Sequence, residues 1–216
     1  MHWVDRSPEP DGLGAVRSRY ILRWVEYYPN RTGVRPSDSH WRRFHDDLSK
    51  VFSGLCAYCE ESDEGEVDHF HPKSKFPQMV YDWSNWVFAC HSCNLAKGEK
   101  WPPGGYVDPC SRSRPARPEN FFDFNTVTGY IIPKAGLSPA RRKKAMQMIG
   151  DLRLNAHHHL RTRRAWVRAV SESLSDDLDI NNPSERDFLD FVTDRSTPLS
   201  SITRAMLAQR GHFTVR

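Results

Sequence analysis

Apolar residues recur along this chain with two different periods, and the change of period divides it. Val16, Tyr20, Ile21, Trp24, Val25 and Tyr28 form one stripe at helical spacing, so residues 16–28 read as an amphipathic helix. The polar run NRTGVRPSDS breaks it, and Trp41, Phe44, Leu48 and Val51 predict a second helix over 39–53. Residues 54–101 lose the helical period. EVDHF and NWVFA are short β-branched or aromatic runs and read as strands. PPGG and RSRPARP then mark a basic, proline-broken connector, and NFFDFNTVTGYIIP predicts a hairpin around Thr128 and Gly129. Beyond it the pattern is helical again. Ser138-Pro139, Asn182-Pro183 and Thr197-Pro198 are helix starts, Leu160, Val167, Val170 and Leu174 share a helical stripe, and Gly211 ends the last helix. The expectation is an α+β chain in four stretches: a helical segment over 1–53, a compact core over 54–101, a connector with short strands over 102–136 and a helical region over 137–216.

Composition narrows the class. Of 216 residues, 38% are hydrophobic and 12% aromatic, too rich for a disordered chain. A formal net charge of +4 permits a polyanionic partner without requiring one. No apolar run approaches a membrane span and the first residues lack the apolar core of a signal peptide, so the expected location is the cytoplasm, where disulfides are rare. Five cysteines therefore need another explanation.

Four of them supply one. Cys56/Cys59 and Cys90/Cys93 are two C-x-x-C pairs separated by 30 residues, the pattern of two knuckles closing on one zinc. A thioredoxin-like reading needs one pair beside a βαβ unit, which the pattern does not show. With four sulfurs the zinc has no open position, so it holds the fold and performs no reaction. Cys110 is left as a free thiol, and His91, inside the second knuckle, as a surface residue.

Between the knuckles lie Asp68, His69, His71 and Asn85, and directly after Cys93 comes Asn94. Carboxylate and amide oxygens suit Mg²⁺ or Mn²⁺, and a neutral imidazole beside them can take a proton from water. The order C-x-x-C, Asp-His, Asn, C-x-x-C-Asn, Lys-Gly resembles the HNH endonuclease superfamily with its small ββα-metal core. CAYCE, DHFHPKS, YDWSN and CNLAKG resemble more narrowly the HNH effectors of Septu-type and retron-associated anti-phage systems. The resemblance implies metal-dependent hydrolysis of phosphodiester bonds in DNA, with an ATPase as protein partner. It implies that His69 is the general base, that Asp68 and Asn94 hold the catalytic Mg²⁺ or Mn²⁺, and that Asn85 orders the loop bearing the base. Lys97 and His71 are further candidates for phosphate contact. The rival reading is a zinc-knuckle module that binds nucleic acid or protein without cutting, which has no need of Asp68, His69 and Asn94 together.

One geometric difficulty stands out. Adjacent residues of a regular strand point to opposite faces, so Asp68 and His69 can serve one site only if the strand ends or bulges there. Three further features take bland readings. His157, His158 and His159 cannot share a helix face and are expected in solvent. The RRKK run at 141–144 and Arg161, Arg163, Arg164 and Arg168 are solvated faces or phosphate contacts. Trp24, Trp41, Trp83 and Trp86 are core.

Overall fold

The computed structural model describes residues 1–174 and 182–211. Helix α1 runs over Leu13–Asn30 and closes where Arg31, at φ 50°, turns its N–H back to Tyr27 O. It buries Leu13 and, of the predicted stripe, Val16, Trp24 and Tyr28, while Tyr20, Ile21 and Val25 are half-buried. The single helix expected over 39–53 is instead two, α2 (Ser39–Arg42) and α3 (His45–Val51). Between them the N–H of Phe44 bonds three residues back to Trp41 O, which tightens the turn so that Trp41 and Phe44 both sink into the core.

The two predicted strands are present. β1 (Glu66–His69) pairs antiparallel with β2 (Trp86–Ala89), placing Asp68 opposite Val87 and His69 opposite Trp86. α4 (His91–Lys97) follows at once, its first turn capped by Cys90 Sγ accepting from the Cys93 N–H. These three elements make the ββα unit. Gly65, entering β1 at φ 67°, is one position where only glycine fits: a Cβ there would lie 2.0 Å from the Phe88 ring.

The second hairpin pairs β3 (Phe122–Phe124) with β4 (Ile131–Pro133), and Asn125 Oδ1 accepts the N–H groups of Val127 and Thr128 in its turn. α5 (Pro139–Asp151) starts as predicted, with Ser138 capping Arg141 N, and α7 (Pro183–Thr193) starts with Asn182 capping Ser184 N. α6 spans His157–Ser173. α8 (Ser200–Gln209) begins later than Thr197-Pro198 suggested, because Leu199 adopts φ 58° and resets the chain direction first.

One core joins side chains from all four stretches, among them Trp24, Trp41, Tyr58, Tyr81, Trp86, Phe88, Phe122, Met148 and Ile202. The four tryptophans named above are buried in it. A smaller cluster of Val170, Leu189, Val192, Met206 and Leu207 knits α6, α7 and α8. No helix among the described residues is long and apolar enough to cross a membrane.

Candidate active site and metal centre

The first knuckle is a turn between α3 and β1, bonded to the sheet through Ala57 N–H and Phe88 O; the second is the junction of β2 and α4. Pairing β1 with β2 therefore brings the knuckles together. The four Sγ atoms lie within 4.8 Å of one another, all buried, none in a disulfide. Cys59 and Cys90 sulfurs are 3.8 Å apart. A tetrahedron with zinc–sulfur bonds of about 2.3 Å has edges of about 3.8 Å, so the set fits a zinc ion. Burial pushes the Cys59 thiol well above its ordinary pKa, since thiolates crowded in a dry site need a cation to balance them.

The surroundings of this centre correct the reading of the histidine triplet. His157 and His158 are exposed, but His159 is 1% exposed. Its Nδ1 is 2.5 Å from Glu61 Oε1 and its Nε2 is 3.8 Å from Cys93 Sγ. The three residues do diverge around the helix, and that divergence is what turns one of them inward. Glu60, in the positive-φ region at 65°, buries its carboxylate against Ser201 N–H and Oγ at the start of α8. Both helices thus dock on the residues that follow Cys59.

Beside β1 lies a cleft of about 180 Å³ lined by Val67, Asp68, His69, Pro72, Lys73, Ser74, Asn94, Gly98 and Glu99. It gathers Asp68, His69 and Asn94 in one place. Asp68 and His69 are both paired in the β1–β2 ladder, and both line the cleft. A larger, mostly apolar groove of about 710 Å³ beside Pro102, Phe121 and Lys144 holds none of these groups.

His69 is buried, its ring edge-on to Trp41 at 5.0 Å. Its Nε2 is 2.9 Å from Val80 O. A carbonyl only accepts, so Nε2 carries the proton and Nδ1 is the basic nitrogen. Burial, reinforced by the charge of Lys73, holds its pKa well below the ordinary histidine value, so the ring is neutral.

Asp68 is more committed than the sequence implied. Its Oδ2 accepts the Tyr58 hydroxyl at 2.6 Å and its Oδ1 accepts Lys97 Nζ at 2.7 Å. Lys97 is fully buried and also donates to His69 O at 2.7 Å, so its ammonium is not exposed to a phosphate: the contact expected of it is replaced by a buried ion pair. α4 presents Lys97 inward across β1. Burial, with the Asp68 charge beside it, pushes the Tyr58 hydroxyl well above its usual pKa, keeping it a donor. Asn94 directs Nδ2 to Glu66 Oε2, which leaves Oδ1 without a partner in that bond. Glu66 also pairs with His91 at 2.9 Å, on the surface as expected of His91.

Asn85 is fully buried and uses both ends of its amide. Oδ1 accepts from His71 N (2.7 Å) and His71 Nδ1 (3.0 Å), while Nδ2 donates to His71 O and Met79 O. It thereby fastens both ends of the loop after β1. His71 lies in an aromatic nest with Trp101 (4.4 Å), Phe76 and Phe70 and is not part of the cleft lining, so the phosphate contact expected of it is not where the structure puts it. Arg163 is likewise no surface contact: it is buried and donates to Gly129 O and Leu154 O. Arg141 donates to Pro115 O and Asn120 O.

Sequence reasoning did not single out Lys73, Tyr58, Glu61 or Glu66. Lys73 stands in HPKS and Tyr58 inside CAYC, so proximity to a motif was the available signal; which of them faces the cleft depends on the fold. Burial pulls the Lys73 ammonium below the ordinary lysine value, with Arg35 adding to the effect and Asp38 and Asp68 opposing it.

Comparison with known proteins agrees with this geometry. Residues 56–100 match the model of the HNH endonuclease family. Septu protein PtuB of Bacillus thuringiensis is 39% identical over 56 residues, 24% of this chain and 22% of that protein. Septu protein PtuB of Bacillus mycoides (strain KBAB4) is 24% identical over 123 residues, 46% of this chain and 42% of that protein. The chain thus matches less than half the length of either relative.

Proposed function

We propose that this protein is a metal-dependent endonuclease that hydrolyses phosphodiester bonds in DNA, the nuclease component of an anti-phage defence system that works with an ATPase partner. The observation that carries the reading is the cleft beside the ββα unit, where a neutral His69 with a free Nδ1 stands among Asp68, Asn94 and Lys73. A module that only binds has no use for a buried imidazole fixed in one tautomer beside carboxylate and amide oxygens.

Asp68 and Asn94 would hold Mg²⁺ or Mn²⁺ through their Oδ atoms. The donor set is oxygen, which suits either ion, and Asn94 Oδ1 is free of Glu66. Each Asp68 oxygen keeps a lone pair beyond its bond to Tyr58 or Lys97, so a cation would share the carboxylate with Lys97. When bound, the ion would neutralise charge on the phosphate and its leaving oxygen. Within the chain, His69 Nδ1 accepts the proton of the attacking water, Val80 O fixes the ring, and Asn85 holds the loop that bears Val80.

The test is His69→Ala. Cleavage of duplex DNA in the presence of Mg²⁺ or Mn²⁺ should fall by about 10²–10⁴-fold, the usual worth of a general base. Zinc content and melting temperature serve as controls for folding. Cleavage at the wild-type rate by a zinc-loaded variant would falsify the mechanism and favour a non-cutting module. The partnership is checked by expressing the chain with and without a neighbouring ATPase and comparing elution volume and cleavage. A net charge of +4 offers few phosphate contacts, so the isolated chain should cut weakly and lose activity with salt.

A further inference from the structure

The cations around the cleft are mostly spoken for. Lys97 is bonded to Asp68, Arg31 pairs with Glu99 at 2.7 Å, and Arg35 pairs with Asp38 at 2.8 Å. Lys73 differs: among the described residues no carboxylate forms an ion pair with it. Its ammonium lies 5.2 Å from the centre of the Trp41 ring. The same ring meets His69 edge-on at 5.0 Å, so a single indole supports both the cation and the imidazole. Next to it, Ser74 Oγ is shielded from water and has no hydrogen-bond partner. Both residues line the cleft that holds Asp68, His69 and Asn94.

A half-buried ammonium without a counter-charge, beside an unsatisfied hydroxyl, is an arrangement that an anion completes. The negative groups in reach are already balanced: Asp68 by Lys97, Glu99 by Arg31, Asp38 by Arg35. An anion that meets Lys73 in the cleft would therefore come from outside the chain.

We propose that Lys73, with Ser74 beside it, is the phosphate-holding side of the cleft: Nζ binds a non-bridging oxygen of the DNA phosphate presented to His69. The proposal rests on the endonuclease reading and gives Lys73 the place that Lys97 cannot take. A lysine suits this role as a compact point charge on a flexible stem, able to leave the indole face when a phosphate arrives. Ser74 Oγ reaches the same phosphate by rotation about χ1.

The experiment uses the full chain with zinc bound. Duplex DNA affinity is measured across a salt series in the absence of added divalent metal for the wild type, Lys73→Gln, Lys73→Arg, Ser74→Ala and Lys75→Gln. Lys75 is an exposed lysine two positions away, so its variant has the same net charge as Lys73→Gln. Lys73→Gln should weaken binding about tenfold relative to Lys75→Gln and make the slope of log affinity against log salt shallower by about 0.9, the loss of one phosphate contact. Lys73→Arg should recover most of the affinity, and Ser74→Ala should lose about threefold, a fraction of one hydrogen bond. Melting temperatures exclude misfolding, and the arginine variant keeps the test open should the glutamine variant be unstable. In a parallel arm with Mg²⁺ or Mn²⁺, Lys73→Gln should cut at least tenfold more slowly than Lys75→Gln. Equal affinity and slope for Lys73→Gln and Lys75→Gln overturn the proposal whether or not the chain cuts. Loss of binding in Lys73→Gln, together with a wild type that binds but never cuts, leaves the phosphate site standing and removes the endonuclease reading instead. A wild type that binds no duplex at any salt overturns both.

Discussion

The ion pair of Lys97 and Asp68, with Tyr58 on the other carboxylate oxygen, sets the character of the site at the residue scale. Both charged side chains are at most 5% exposed. Such a pair contributes little over an apolar replacement, but removing one partner strands the other charge. Lys97→Ala should therefore cost about 3–5 kcal/mol of stability, read as a lower midpoint in urea unfolding. Lys97→Ala/Asp68→Asn should regain a large part of that loss, because no full charge is then left without a partner. A double variant as unstable as the single one would mean that Lys97 acts through packing of its stem. This residue also shows what the sequence could and could not tell. The motif marked it as a candidate for phosphate contact, but position along α4 does not say which neighbour lies across from it. The motif residues Asp68, His69 and Asn94 were legible because their types are chemically unusual in combination. Lys73 and Tyr58 are ordinary residues whose roles arise from position alone.

At the scale of elements, β1 and the turn before it carry the geometry. β1 must bring Asp68 against α4, end at His69, and keep register with β2, and it has only four residues for all of this. Gly65 sets its entry. Alanine there meets two penalties: a positive φ worth roughly 1–2 kcal/mol and a Cβ 2.0 Å from the Phe88 ring, which is fully buried and cannot withdraw. Gly65→Ala should lower the melting temperature by more than the backbone penalty alone, and because Phe88 opposes Val67 it should also disturb the cleft. A comparison with Gly54→Ala isolates the clash, since Gly54 also has positive φ but no atom near its Cβ position. Equal losses for the two would show that the ring moves aside. Helices and strands were legible in this chain wherever apolar residues kept a period. The break between α2 and α3 was not, because Trp41, Phe44 and Leu48 fit a continuous helix as well as an interrupted one. The inward turn of His159 was missed for a related reason: the pattern shows that three consecutive residues diverge, not which one meets a partner.

At the scale of the whole molecule, the question is what holds the C-terminal helices in place. Their own cluster of Val170, Leu189, Val192, Met206 and Leu207 is small. α6 and α8 also pack on the main core, through Trp166, Val167 and Ile202. Part of their docking is on the first knuckle, through His159 with Glu61 and Ser201 with Glu60. The zinc that fits the four cysteines would then fix more than the ββα unit, since the turn holding Glu60 and Glu61 takes its shape from Cys56 and Cys59. Removing the metal with a strong chelator, or replacing Cys93 by serine, should lower the melting temperature. It should also release the amide protons of 157–173 and 200–209 to hydrogen exchange together with those of 56–97. Mild chelation that strips only a loosely held Mg²⁺ or Mn²⁺ should leave exchange unchanged while stopping cleavage. Zinc loss that exposes 56–97 but leaves α6 and α8 protected would show that the small apolar cluster suffices by itself. The C-terminal region would then be an independently stable shell, and the contacts of Glu60 and Glu61 would be consequences of its position, not causes.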